Sequence, residues 1–166
     1  MAEPATAGET QSKLRKQPNS RDCFVCGMEN QHGLALAFYE RGPEEVVCQV
    51  RLPDRYQGFP GLAHGGVLAA MLDEAAMRAS MAGDHQRFML TARMTIRYRK
   101  PVPVGEPLEL VGQLLKQSGR LSTARAQLRL SDGSVAAEAE VTLVDYPDRL
   151  DEADRLQALG WKVYPD

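Results

Sequence analysis

Along most of this chain, apolar side chains recur at every second position, which is the period of a β-strand with one buried face. Six such stretches begin near residues 34, 46, 94, 108, 124 and 135. The last two are separated by Asp132-Gly133, a pair that favours a tight hairpin turn. Gly112, inside the fourth stretch, is predicted to mark a bend or bulge. The pattern therefore predicts antiparallel strands that bury one face and leave the other face polar.

One longer apolar segment, between the second and third stretches, predicts a helix. It runs from about Gly65 to Ala82, and Gly83-Asp84 ends it. This helix is the only long predicted element able to cover the apolar face of the sheet. We therefore predict an α+β fold in which an antiparallel β-sheet wraps around one long central α-helix. A short amphipathic helix is expected in the C-terminal tail, docked by Trp161 and Tyr164.

The length of 166 residues fits one domain. Residues 1–20 are polar and aperiodic and are expected to be disordered, residues 21–147 to form the domain, and residues 148–166 to form the helical tail. A net charge of −2 does not favour nucleic-acid binding, and no apolar run is long enough to cross a bilayer. With no apolar signal core at the N-terminus and an odd number of cysteines, three, we expect a cytoplasmic location.

Candidate chemistry is concentrated at the start of the predicted helix, where His64-Gly65-Gly66 is followed by Asp73. The first N–H groups of a helix have no intrahelical acceptor, so the glycine turn can bind a carbonyl oxygen that gains negative charge. The carboxylate can act as a base or a nucleophile. Asp73 lies on the same helix stripe as Gly66 but roughly 10 Å away along the axis. We therefore expect a dimer in which two antiparallel helices form two composite sites.

Glu74 is the alternative carboxylate, because it is the next residue in the chain. It lies on a different stripe of the predicted helix, with Arg78 four residues later. A Glu–Arg pair at this spacing is common on helix surfaces and has no catalytic meaning by itself. Asp73 is therefore the favoured candidate.

Cys23 and Cys26 have a spacing that also occurs in zinc sites. His32 could be a third ligand, but no fourth ligand is evident, and Cys48 lies alone in a predicted strand. No helix is predicted after the pair, as thioredoxin-like redox chemistry would require. We therefore expect no metal and no organic cofactor.

Three motifs follow one another at specific spacings. They are Cys23-x-x-Cys26-Gly-x-x-Asn30-x-x-Gly-Leu, then His64-Gly-Gly with Asp73 nine residues after the histidine, then Thr91 followed by Tyr98 and Pro101. The Gly119-Arg120 turn and the Asp132-Gly133 hairpin complete the series. Together they resemble the hotdog-fold thioesterase superfamily, and within it the PaaI-type branch, over about residues 23–145.

The resemblance implies acyl-CoA thioester hydrolysis by a homodimer or a dimer of dimers (a homotetramer), with composite sites between chains. It implies that Asp73 acts as base or nucleophile and that the N–H of Gly65 or Gly66 polarises the thioester carbonyl. His64 would orient this turn, and Thr91 would assist the attacking water. A non-catalytic acyl-CoA binding protein on the same fold is the main alternative. A hydratase is a weaker one, because His64 and Asp73 are too far apart in one chain.

The phosphates of CoA require cations near the entrance of such a site. The candidate residues for substrate binding are Asn30, Arg97, Arg99, Lys100, Gly119 and Arg120. Arginines on the solvated face of a strand are an equally good explanation of several of these positions. The identity of the acyl group is not encoded in any of these motifs.

Overall fold

The structure is a computed structural model that describes residues 14–146 and 152–166. Within these ranges the chain forms seven strands and two α-helices. The strands are β1 (Arg15–Lys16), β2 (Tyr39–Glu40), β3 (Glu45–Arg51), β4 (Met89–Tyr98), β5 (Pro107–Ser118), β6 (Leu121–Arg129) and β7 (Val135–Asp145). The helices are α1 (Gly65–Ser80) and α2 (Glu152–Leu159), and a 3₁₀ turn spans Asp54–Tyr56.

The seven strands form one antiparallel sheet in the order β1-β2-β3-β5-β6-β7-β4. Gly133, in the β6–β7 turn, has φ +82°, which glycine adopts readily. In the same turn the N–H of Ser134 donates to Asp132 Oδ1 at 2.8 Å, so the predicted hairpin is confirmed. Strand β4 lies at one edge of the sheet and pairs there with β7 alone.

Helix α1 packs across one face of this sheet, and the predicted fold is confirmed. A Cβ on Gly112 of β5 would lie 2.0 Å from the carbonyl oxygen of Ala75. Gly112 keeps a regular register with both neighbouring strands, whereas β5 shifts register between Leu114 and Lys116. The prediction of a bend at Gly112 is therefore wrong. Glycine stands there because the helix backbone leaves no room for a side chain.

The first predicted strand is largely wrong, since only Tyr39–Glu40 of that stretch is a strand. The N–H of Leu36 donates to the carbonyl of Val25 at 2.9 Å, and Ala35 has a positive φ of 51°. The segment therefore packs against residues 23–27 rather than beside a long strand. Leu36 and Phe38 are nevertheless buried, which explains the alternating pattern.

The expectation of disorder through residue 20 does not hold for residues 14–20, and residues 1–13 lie outside the described ranges. Gln17 and Asn19 are completely buried. The side-chain amide of Asn19 donates to the carbonyls of Cys26 at 2.7 Å and Leu36 at 2.8 Å. This segment is polar in composition, but its donors find acceptors inside the domain, so it can be buried.

The chain after α2 returns to the domain through Trp161. Its indole N–H donates to the carbonyl of His85 at 2.9 Å, and its ring meets Phe88 edge-on with centroids 5.2 Å apart. The hydroxyl of Tyr164 donates a hydrogen bond to Glu29 Oε1 at 3.3 Å. The contacts agree with the expected docking of the tail by these two aromatic residues. Neither described helix is long and apolar enough to cross a membrane.

Candidate active site

The glycine turn at the start of α1 is capped by the histidine that precedes it. His64 has extended backbone angles, and its Nδ1 accepts the N–H of Gly66 at 2.9 Å. An imidazole that accepts at Nδ1 is neutral and carries its proton on Nε2. The N–H of Gly65 has no acceptor among the described residues. Of the two glycines named from the sequence, Gly65 therefore offers the free donor.

Tyr98 supports this turn from the far end of β4. Its hydroxyl donates to the carbonyl of Gly65 at 2.9 Å, and a Cβ on Gly65 would meet its ring at 3.7 Å. No role for Tyr98 at the site was predicted from the sequence. The available signal was its alternation with Ile96 and Met94, which points all three side chains toward the helix. Tyr98 thus helps to hold Gly65, the residue whose N–H is free.

Asp73 and Thr91 form the second half of the candidate site. The hydroxyl of Thr91 donates to Asp73 Oδ1 at 2.5 Å, so the second carboxylate oxygen is left for another partner. A β-bulge makes this contact possible: Thr91 and Arg93 pair with consecutive residues of β7, which leaves Ala92 as the extra residue. Without the bulge, strict alternation would put Thr91 on the outer face with Arg93.

Glu74 is directed away from this pair, into a buried cluster. Its carboxylate accepts a hydrogen bond from the Nε–H of Arg78 at 2.8 Å, and the Arg78 side chain is completely buried. The ion pair expected between them is confirmed, but the expectation that it lies on the helix surface is wrong. Burial raises the pKa of Glu74 to about 7, against the attraction of Arg78. Asp73, with Thr91 beside it, remains the candidate for chemistry.

The donor atoms of Cys23, Cys26 and Glu74 lie within 4.8 Å of one another. The position of Glu74 beside the cysteine pair could not be predicted from the sequence, because α1 is far from the two cysteines in the chain. As a metal site the group is unfavourable: three donors leave a structural zinc site one ligand short, and the guanidinium of Arg78 already occupies the carboxylate. His32, the other candidate ligand, is not part of this group.

In one chain the two halves of the candidate site are separated. Gly65 and Asp73 are eight residues apart on α1, or about 12 Å along the axis. Their partners on β4, Tyr98 and Thr91, are separated in the same way because α1 and β4 run in opposite directions. Each chain therefore presents a glycine turn at one end of the α1–β4 pair and a carboxylate at the other end.

Of the predicted substrate-binding residues, Asn30 braces its own loop. Its amide donates to the carbonyl of Asp22 at 3.1 Å, and its Oδ1 accepts the N–H of His32 at 3.0 Å. These bonds occupy both ends of the side-chain amide. The structure thus supplies Asn30 with a local structural role.

The remaining predicted substrate-binding residues fall into two groups that one chain does not bring together. The first group is Arg97, near the end of β4, with Arg99 and Lys100, which follow the strand. Arg99 pairs with Glu138 on the outer face of the sheet. The second group, Gly119 and Arg120, forms the exposed tip of the β5–β6 hairpin. This tip lies at the same end of the sheet as the start of β4, with β7 between them. The two groups are separated by roughly the length of β4, on the order of 26 Å over eight residues.

A comparison with protein-family models matches residues 60–137 to the Thioesterase superfamily. The match covers the glycine turn, α1 and β4, and so includes both halves of the candidate site. It therefore rests on the same elements that the geometry singles out.

Individual proteins show the same likeness. The chain is 29% identical to acyl-coenzyme A thioesterase THEM4 of Rattus norvegicus over 113 residues, which are 68% of this chain and 48% of that protein. It is 35% identical to a thioesterase superfamily protein of known crystal structure, with a TM-score of 0.70 over 76% of this chain and 61% of that one. A third protein, smu.793 of Streptococcus mutans with acetyl CoA bound, shares the fold at 17% identity and a TM-score of 0.62, over 69% and 91% of the two chains.

The chain spans about half the length of the curated relatives it matches. Its likeness to them is carried by a family match over the site-bearing segment and by the shared sheet and central helix. On these grounds the chain resembles the thioesterase superfamily over this segment and has the hotdog fold.

Proposed function

We propose that this protein is an enzyme that hydrolyses acyl-CoA thioesters to free CoA and a carboxylic acid. The observation that carries the proposal is the hydrogen bond between Thr91 of β4 and Asp73 of α1, the helix that also carries the free N–H of Gly65. Relatives named acyl-coenzyme A thioesterases and a structural neighbour with acetyl CoA support the choice of substrate class. The order of motifs favours the PaaI-type branch, whose chemistry requires no cofactor. The odd number of cysteines favours a cytoplasmic location.

The active site is proposed to be complete only in a homodimer. Strand β4 is a ten-residue edge strand whose side chains are mostly exposed, including Leu90 and Tyr98 at 45% and 52%. Long edges of this kind are open to pairing with another strand. A two-fold axis that pairs β4 with its copy in antiparallel fashion would place Asp73 and Thr91 of one protomer near the Gly65 turn of the other. Two such dimers could associate into a tetramer.

In the proposed reaction the thioester carbonyl oxygen accepts the N–H of Gly65, at the positive end of α1. Asp73 of the partner subunit takes a proton from water, and the water oxygen attacks the carbonyl carbon. Collapse of the tetrahedral intermediate breaks the C–S bond, and the departing thiolate is protonated to free CoA. Asp73 could instead attack directly as a nucleophile, with water cleaving the resulting anhydride. His64 holds the turn through its bond to Gly66.

The phosphates of CoA are proposed to bind at the entrance, between the two groups of basic residues. In an antiparallel dimer the end of one β4 approaches the start of the other. Arg99 and Lys100 of one protomer would then lie near Gly119 and Arg120 of the partner subunit. Asn30 contributes by shaping its loop.

The test is thiol release from short, medium, long and aromatic acyl-CoAs by the purified protein, with its mass in solution measured in parallel. The proposal expects turnover of at least one ester by a dimer or tetramer, and loss of turnover in Asp73→Asn. Binding of CoA esters without thiol release across the panel would instead establish the non-catalytic alternative. A strictly monomeric protein with full turnover would overturn the composite site.

A further inference from the structure

Cys23 and Cys26 lie on one hydrogen-bonded turn that the sequence did not predict. The N–H of Gly27 donates to the carbonyl of Cys23 at 2.9 Å, which closes the turn. A Cβ on Gly27 would lie 2.3 Å from that same oxygen, so only glycine allows a turn this tight. Residues three apart on such a turn project to the same side. Among the described residues no helix directly follows the pair, as the sequence predicted, but the turn itself brings the two cysteines to the same side.

The sulfur of Cys23 receives backbone donors at the start of this turn. Its Sγ accepts the N–H of Val25 at 3.3 Å and that of Cys26 at 3.4 Å. Donors placed in this way stabilise a thiolate, as they do at helix N-termini. A further hydrogen bond from the Cys26 thiol and these N–H groups lower the pKa of Cys23 to about 6, although burial and Glu74 oppose the shift. Cys23 is also the one of the three cysteines that is partly exposed.

The sulfur of Cys26 is buried behind that of Cys23. The two atoms lie within 4.8 Å of each other, and the hydroxyl of Ser20 is 3.5 Å from Cys26 Sγ. The hydrogen bond to Cys23, together with burial, raises the pKa of the Cys26 thiol to about 12, although Arg78 opposes the shift. The charged groups facing the pair are Glu74 and Arg78, both from α1. An exposed thiolate in front of a protonated thiol is the arrangement of an attacking and a resolving cysteine.

We propose that Cys23 and Cys26 are a reversible oxidation site, at which a hydroperoxide converts the two thiols into an intramolecular disulfide. The Cys23 thiolate attacks the hydroxyl oxygen of the hydroperoxide and breaks the O–O bond, which gives a sulfenic acid and either hydroxide, from hydrogen peroxide, or an alkoxide, from an organic hydroperoxide. The Cys26 sulfur then attacks the Cys23 sulfur and displaces hydroxide, and its proton ends up in water. Two thiols lose two electrons, and the hydroperoxide is reduced to water or an alcohol. A dithiol or thiol reductant reverses the step by exchange.

The geometry of the turn suits this product. A disulfide requires Cα atoms about 4.4–6.8 Å apart, a range that includes residues three apart in a helical turn. Closure therefore needs side-chain rotation rather than unfolding of the segment. Cys48 is a matched internal comparison: it is 1% exposed on β3, and burial raises its pKa to about 12. It is not one of the three groups whose donor atoms cluster.

The experiment treats the reduced full chain with hydrogen peroxide, blocks the remaining thiols with an alkylating reagent, and maps the products by mass spectrometry. We expect a loss of two hydrogens per chain, a Cys23–Cys26 link, and reversal by dithiothreitol. Cys48→Ala should behave as the wild type does. Cys26→Ser should leave a sulfenic acid on Cys23 that dimedone traps. In Cys23→Ser, thiol loss should be slower by about 10²-fold or more, because a buried thiol contributes little thiolate.

Three outcomes would overturn the proposal. The first is that both thiols stay free under peroxide that oxidises a model thiol. The second is that the link joins Cys48 or two chains. The third is that the isolated protein carries one equivalent of zinc whose removal is needed before either thiol reacts, which would make the pair part of a metal site. The wild-type map decides each of these without relying on the folding of any variant.

Discussion

Replacing Asp73 tests the proposed chemistry most directly, and its bond to Thr91 allows the test to be sharpened into a cycle. Loss of a general base costs about 10²–10⁴-fold in rate. That range corresponds to about 3–5 kcal/mol, and we expect it for Asp73→Ala and for Asp73→Asn. Thr91 acts as a positioning residue, since its hydroxyl fixes one carboxylate oxygen at 2.5 Å. A carboxylate misplaced by about 1 Å can lose up to about 10²-fold, so Thr91→Val should cost roughly 10- to 100-fold in kcat with KM unchanged.

The cycle is measured as kcat and KM for thiol release by the wild type, Asp73→Ala, Thr91→Val and the double variant. In the Asp73→Ala background Thr91 has no carboxylate to hold, so Thr91→Val should add nothing. Asp73→Asn is the control for structure, because the amide oxygen can still accept the Thr91 hydroxyl. If Thr91→Val costs the same factor in both backgrounds, Thr91 acts on water and not through Asp73. Near-normal turnover by Asp73→Asn would refute the base itself.

Three further predictions follow from other contacts. Gly65→Ala should reduce kcat/KM at least about tenfold, because the added Cβ crowds the free N–H. Its melting temperature should not change, because this Cβ meets Tyr98 only at 3.7 Å. A fully active variant would contradict the role of the Gly65 N–H as oxyanion donor. Gly112→Ala should instead destabilise the fold by about 1–3 kcal/mol or more, because the Cβ lies 2.0 Å from the carbonyl oxygen of Ala75, and thermal unfolding measures this. The alkylation rate of Cys23, followed by peptide mapping, should rise with pH with an inflection near pH 6. The reason is that the thiolate is the reacting form and the pKa of Cys23 is lowered from the ordinary 9.0 to about 6. An inflection near pH 9 would contradict this.

The sheet and the central helix could be predicted because hydrophobic period is a local property. Alternation identified β3 to β7, and the apolar run ending at Gly83 identified α1. The same property failed at residues 34–38, because side chains of an irregular segment can also be buried alternately. A positive φ at Ala35 and bonds to the cysteine turn leave no periodic signal.

The site was predicted where its parts are close in the chain and missed where distant elements meet. The spacing of His64, Gly65 and Asp73 sets their positions on one helix, so their separation could be calculated in advance. Whether Gly65 or Gly66 keeps a free N–H depended on the rotamer of His64, which the sequence does not state. Likewise, alternation along β4 would have turned Thr91 outward, and only the bulge at Ala92 turns it toward Asp73.

By itself, therefore, the sequence determined the segments that form α1 and β3 to β7, where the glycine turn and the carboxylate lie on α1, and that one chain separates them. Only the tertiary structure decided that Glu74 joins Cys23 and Cys26, that Arg78 is buried against Pro18 sixty residues away, and which face Thr91 takes. The physical reason is that backbone period and helix geometry act over a few residues. Burial, ion pairing and sulfur–sulfur proximity depend on which elements the folded chain brings into contact.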